Sequence, residues 1–135
     1  MPGIIRWPGQ TPAGSVSDVP VCGVDLLPTL CEIAGIDAPD DRALDGASLL
    51  PVLTDEPIRR ERPLYWHFLY ASSAPKVAIR DGDWKLLAGL TGTDLRRGAD
   101  ITEEQMVALK TAELTNFELY NVTDDIGESQ EVSKR

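Results

Sequence analysis

Lys76-Val77-Ala78-Ile79-Arg80-Asp81-Gly82-Asp83-Trp84-Lys85-Leu86-Leu87 has the pattern of two short strands joined by a tight turn. Lys76 to Arg80 reads as a strand, with the short β-branched and apolar run Val77-Ala78-Ile79 framed by two cations. Asp81-Gly82 follows, a pair that accepts positive φ and so closes a tight hairpin. Trp84 to Leu87 supplies the returning arm. A lone hairpin is marginal in water, so further strands are expected on either side.

Both sides provide one. Leu64, Trp66 and Phe68 alternate with Tyr65, His67 and Leu69, a strand with two different faces. Phe117 to Val122 reads as the last strand, which makes an antiparallel sheet of roughly four strands. One face, read as carrying Trp66, Phe68 and Trp84, needs cover from a helix of the first half or of a neighbouring domain. Residues 89–115 form an excursion between strands. Within it Thr102-Glu103-Glu104-Gln105 fits a capping box that opens a short helix to about Glu113. The apolar stripe of that helix (Met106, Leu109, with Val107 beside them) is thin, which predicts a surface helix. Asp124-Asp125-Ile126-Gly127 is a turn before a polar tail.

The first half has a different rhythm. Gly3 to Trp7 is a short apolar strand candidate stopped by the turn pair Pro8-Gly9, and residues 10–17 are loop. Asp25 is placed to cap a helix, with Pro28 in the first turn, where a missing N–H does no harm. Leu26, Leu27, Leu30, Ile33 and Ala34 follow helical spacing up to the stop at Gly35, so the helix is expected to face a core. Asp37 to Leu53 is a connection with the apolar end Leu49-Leu50-Pro51-Val52-Leu53. Glu56 to Arg62 is a charged linker. It divides a strand–loop–helix part, residues 1–60, from a sheet-forming part, residues 61–135. The fold class is α+β.

Composition narrows the partners. The 135 residues are 42% hydrophobic and 26% charged, which is globular rather than disordered. With 13 Lys and Arg against 22 Asp and Glu, the formal charge is −9. An acidic surface repels nucleic acid phosphates and anionic lipid headgroups, so neither nucleic acid nor membrane is expected as a partner. The run Val19 to Leu27 is broken by Pro20 and Asp25, and no stretch is long enough to span a bilayer. The N-terminus lacks the pattern of a secretory signal. Cys22 and Cys31 make neither a disulfide framework nor a metal-ligand spacing, and buried thiols are the expected reading.

Six phrases in order then carry a family resemblance: Pro2-Gly3-Ile4-Ile5-Arg6-Trp7-Pro8-Gly9, Val24-Asp25-Leu26-Leu27-Pro28-Thr29-Leu30, Ile33-Ala34-Gly35, Asp45-Gly46-Ala47-Ser48-Leu49, Arg80-Asp81-Gly82-Asp83-Trp84-Lys85-Leu86, and Glu118-Leu119-Tyr120-Asn121 with Asp124-Asp125-Ile126-Gly127-Glu128. The series resembles the C-terminal third of sulfatases, the arylsulfatase-like branch of the alkaline phosphatase superfamily. That resemblance implies an α/β alkaline-phosphatase-like fold of which this chain is the C-terminal part. It also implies a formylglycine nucleophile and a calcium ion in the full-length protein, with a sulfate ester as substrate. Such chemistry suits hard oxygen ligands and preorganised positive charge around a transferring oxyanion group. A periplasmic or secreted location follows from the same resemblance.

The catalytic residues do not carry over. In the family the formylglycine arises from Cys or Ser in a Cys/Ser-x-Pro-x-Arg motif. Cys22 is followed by Gly23-Val24-Asp25-Leu26 and Cys31 by Glu32-Ile33-Ala34-Gly35, so neither fits. No run of Asp and Asn matches the calcium set. The phrase that holds the family's catalytic Lys normally lies directly before the strand read here as Pro2 to Trp7. The expectation is a segment without catalytic residues, metal or cofactor of its own, inactive alone, whose partner is the N-terminal sulfatase catalytic domain. It would close the α/β core and shape one wall of the substrate cleft. Apolar surface left uncovered allows self-association. The competing readings are a segment of a phosphoric or phosphonic ester hydrolase and a non-catalytic interaction module.

Two residues are candidates for touching substrate by resemblance, because related sulfatases carry an aromatic–His–aromatic phrase whose following loop reaches the cleft rim. They are His67 and its neighbour Trp66. The bland alternative for His67 is a half-buried sheet histidine bonded to a backbone carbonyl. Lys76 and Arg80 are expected to be solvated, Trp84 and Lys85 to be structural, and Asp81 and Asp83 to serve the turn. Asp25 is expected to be a cap rather than a metal ligand. Asn121-Val122-Thr123 matches a glycosylation sequon, which matters only in a secretory pathway.

Overall fold

The hairpin is present, and the sheet is built around it. The computed structural model describes residues 3–54, 56–68, 76–92 and 100–133. Strands β1 (Leu64–Phe68), β2 (Lys76–Asp81), β3 (Trp84–Leu90) and β4 (Leu114–Asn121) form one sheet in the order β1-β2-β3-β4. All three pairings are antiparallel. The structure thus holds the α+β arrangement with a four-stranded sheet. In the turn, Gly82 takes the positive φ, +54°, while Asp81 pairs with Trp84. Glycine adopts that conformation without steric cost, as the first central residue of a hairpin turn often must.

The register corrects the expected sheet face. Directly paired residues in antiparallel strands project to the same side. Trp66 pairs with Ala78, and Ala78 with Leu87, so Trp66, Phe68 and Leu87 share one face. Tyr65 pairs with Ile79 and Ile79 with Leu86, which puts Tyr65, His67, Val77 and Trp84 on the other. Trp84 therefore lies opposite to Trp66 and Phe68, because the turn pairs it with Asp81 rather than with Arg80.

The excursion is shorter than its sequence suggests. β3 continues to Leu90 and β4 begins at Leu114, with Gly89 paired to Thr115 and Leu90 to Leu114. Two main-chain levels below, Thr91 N–H donates to Glu113 O at 3.0 Å. The strands shift register between Leu87 and Gly89, where Asn116 takes a φ of +51°. This is a bulge, with Asn in the left-handed region that it tolerates better than most residues. The predicted helix appears as Glu103–Thr111, with Thr102 and Gln105 forming the reciprocal capping box. Only its Leu109 is buried.

Contacts divide the chain into two units, Met1–Arg62 and Pro63–Arg135. In the first, a 3-10 turn (Gly23–Asp25) leads into α1 (Leu26–Ala34), and a short helix α2 (Leu50–Leu53) follows the connection. α1 stops at Gly35, whose φ of +66° lets its N–H reach Glu32 O and that of Ile36 reach Cys31 O. The helix in Glu103–Thr111 is α3.

Two expectations for this unit fail. Residues 3–7 join no strand, and Ile4 is 96% exposed. A strand exists only with a ladder partner, and none is offered to this segment among the described residues. α1 is a helix as expected, but its apolar stripe does not face the unit's interior: Leu26 is 53%, Leu30 60% and Ile33 42% exposed. The buried positions are Thr29 and Cys31. The inner side of α1 is occupied by a polar network, described next, and the leucines are displaced to the outside.

Candidate functional site

His67 and Trp66 are consecutive on β1, and strand geometry sends consecutive side chains to opposite faces. Trp66 is half-buried on the face it shares with Ala78 and Leu87, whereas His67 is exposed beside Val77 on the other. The two candidate residues are not brought to one surface. His67 is exposed rather than half-buried, so the bland reading does not match its burial. The loop after β1, residues 69–75, lies outside the described residues, as does Leu69. Lys76 and Arg80 are half-buried, and Arg80 Nε donates to Gly82 O across the turn at 3.2 Å. Lys85 reaches Glu128 Oε1 at 2.5 Å.

The charged centre of the first unit is one that sequence reading only half found. Asp25 has no exposed surface, and it precedes α1 as expected, yet its side chain makes no capping bond to that helix. It turns back instead. Its Oδ2 accepts from Cys22 N–H at 2.7 Å, and its Oδ1 from Ala47 N–H at 3.0 Å. Arg60 completes the shell as a fork, Nη1 to Oδ1 at 2.5 Å and Nη2 to Oδ2 at 2.8 Å, with Nη2 also donating to Pro20 O at 2.9 Å. Thr29 extends the network, its hydroxyl donating to Asp25 O and accepting from Leu49 N–H.

This hub gives the ordered phrases a physical reason. Asp25 and Thr29 are its acceptors, Ala47 and Leu49 bring its donors, and Gly46 lets the two segments meet. A Cβ on Gly46 would lie 2.0 Å from Val24 O, so only glycine permits the approach. Arg60 was read as part of a charged linker. Its partner is 35 residues away, and no local pattern marks it.

Chemically the hub is closed. Burial by itself raises the Asp25 carboxyl, but the Arg60 fork and the Ala47 and Cys22 amides outweigh it and hold the group below its ordinary value of 3.8. A carboxylate with every lone pair engaged is an anchor, not a proton carrier. An open groove of ≈ 300 Å³, lined by none of the hub residues, lies between Trp7 and α2, with Glu32 and Glu56 on its walls. Among the described residues, no group of three or more His, Cys, Asp or Glu is arranged to hold a metal ion. Cys31 is buried and Cys22 partly so, both as free thiols.

Fold and phrases together define a C-terminal sulfatase domain. The family profile described as "N-sulphoglucosamine sulphohydrolase, C-terminal" matches residues 1–106, and the chain belongs to that family. Similar curated proteins are human steryl-sulfatase, 37% identical over 53% of this chain and 12% of its own length, and pig N-acetylgalactosamine-6-sulfatase, 41% identical over 49% and 12%. N-acetylglucosamine-6-O-sulfatase of Bacteroides thetaiotaomicron is 37% identical over 64% of this chain and 16% of its own. The chain thus matches between 12% and 16% of the length of these relatives. The solved structure of BT4656 in complex with its substrate D-glucosamine-2-N,6-O-disulfate covers 98% of this chain and 24% of that one, at a TM-score of 0.67 and 26% identity.

Proposed function

We propose that this chain serves a sulfuric ester hydrolase as its supporting C-terminal part, with the reacting groups carried by protein outside the 135 residues. The observation that carries this is the state of its charged centre. The one buried carboxylate among the described residues is consumed by Arg60 and backbone amides, and neither cysteine sits in a formylglycine sequence. Calcium and formylglycine belong, in this reading, to the larger protein. The described residues do not fit either group, and no chemical step is assigned to them here.

The part this chain plays is to present surfaces. The exposed stripe Leu26, Leu30 and Ile33 is too apolar to be left in water by a finished protein, and it suits docking onto the preceding catalytic portion. The hub sets the orientation of α1 so that this stripe faces outward. β1 offers His67 to the wall of the substrate cleft, while Trp66 supports the strand from the other face. The substrate class follows the relatives: a sulfate ester, with sulfated amino sugars favoured by the solved complex.

The test is a docking measurement. The separately produced catalytic portion should bind the isolated chain, and Leu30→Glu should weaken that binding at least tenfold while leaving the chain folded. Binding that ignores Leu30→Glu would remove the stripe from the proposal.

A further inference from the structure

The outer strands of the sheet are β1 and β4. β4 has an outward row of main-chain groups, the kind of edge that takes up a strand from another molecule unless it is covered. Here its end, at Leu119 and Asn121, is met by the segment that follows. Asp125 N–H donates to Asn121 O at 2.9 Å. At Leu119, the N–H donates to Glu131 Oε1 at 3.1 Å and the C=O accepts from Val132 N–H at 2.9 Å. A neighbouring antiparallel strand exchanges two such bonds with the residue opposite. Glu131 supplies the acceptor with its side chain and Val132 the donor with its backbone, so together they imitate a strand without being one.

The segment is knotted into place. Asp125 gathers Ser129 N–H at 2.7 Å, the Ser129 hydroxyl at 2.9 Å and Gln130 N–H at 2.7 Å. Glu128 adopts a φ of +52° and pairs with Lys85 on β3. Ser133 N–H joins Glu131 Oε1 at 2.6 Å. Its hydrogen bonds join polar groups and backbone, Val132 is half-buried, and the segment lies along the edge as a strap.

We infer that residues 124–133 are a strap that masks a self-association surface, the β4 edge, whose occupant is β4 of a second copy. Antiparallel pairing centred on Leu119 is isologous and closes as a twofold dimer, a single eight-stranded sheet. In that register Tyr120 of one copy lies opposite Glu118 of the other. Those two residue types already pair within one strand, Tyr120 Oη donating to Glu118 Oε2 at 3.0 Å, and no like charges oppose each other around Leu119. The bulge at Asn116 limits the ladder to the residues beyond it.

The experiment compares the full chain with a Glu131→Ala/Val132→Pro variant, which removes both strand-mimicking groups. Light scattering over a concentration series gives mass, and hydrogen exchange gives protection of the Leu119 amide. In the parent the Leu119 amide should be protected at every concentration. In the variant it should exchange freely when dilute and become protected as mass rises toward about twice the parent's, the ratio expected of a closed twofold pair. A variant that keeps the parent's mass throughout would overturn the proposal. So would association in which Leu119 still exchanges freely, since another surface would then be responsible. If near-ultraviolet dichroism shows the double variant unfolded, Glu131→Ala alone, which retains the Val132 donor, is read by the same two criteria.

Discussion

The two units of the chain are held together by opposite means. Among the described residues of Pro63–Arg135 the buried set is apolar: Leu64, Val77, Ala78, Ala88, Leu109, Tyr120 and Val122. Among the described residues of Met1–Arg62 it is Cys31 and Leu49 together with Asp25 and Thr29, so polar groups make up half of it. The carboxylates show the same contrast. Asp25 draws donors from 22 and 35 residues away, whereas Asp125 draws them from four and five. Both are held below the ordinary carboxylate value, Asp25 against its own burial and Asp125 chiefly by the Gln130 amide. A long-range ion pair can close a small unit that lacks apolar bulk. A local set of amide and hydroxyl bonds, such as that at Asp125, only shapes a turn.

The contrast is broken most forcefully at Asp25. Asp25→Ala strands the Arg60 guanidinium and two amides, and loss of one partner of a buried pair costs about 3–5 kcal/mol. Hydrogen exchange should show residues 22–34 and 47–53 losing protection while β2 and β3 keep theirs. Loss of protection in both units together would mean that they do not differ as described. Gly46→Ala comes next. Its Cβ must displace the Val24 carbonyl, an overpacking cost of about 1–3 kcal/mol, read as a lowered urea midpoint for the first unit alone.

The pH dependence sharpens the comparison. Because the folded Asp25 carboxyl lies below 3.8, its stabilisation is complete above that value and is lost as pH falls through the folded pKa. The stability gap between the parent and Asp25→Asn should therefore be constant from pH 6 to 5 and shrink below pH 3.8. A gap that widens with acid would contradict the assigned direction. The smallest effect belongs to Asp125→Ala, which should speed exchange at Ser129 and Gln130 and leave the first unit unchanged.

What the sequence disclosed follows the range of each interaction. The hairpin, the capping box at Thr102 and the stop at Gly35 are short-range patterns, and each was readable in place. The bulge at Asn116 was not, because a register shift belongs to a pair of strands rather than to one. Helical spacing announced α1 but not its orientation: Leu26, Leu30 and Ile33 look the same whether they face inward or outward, and Thr29 and Cys31 took the inside. Residues 3–7 had strand composition without a partner. Arg60 was hidden for the plainest reason, since nothing near it in the chain states that Asp25 is its counterion. Of the candidate site, the aromatic–His–aromatic phrase was visible, while the alternation that separates Trp66 from His67 required the register to be taken seriously.

The central claim is that these residues support a sulfatase and do not themselves turn over sulfate esters. Incubating the purified 135-residue chain with a chromogenic aryl sulfate and calcium tests it most directly. The account predicts release of the aryl alcohol at the buffer rate, unchanged by Cys22→Ser or Cys31→Ser. Turnover above that rate which either substitution abolished would contradict it.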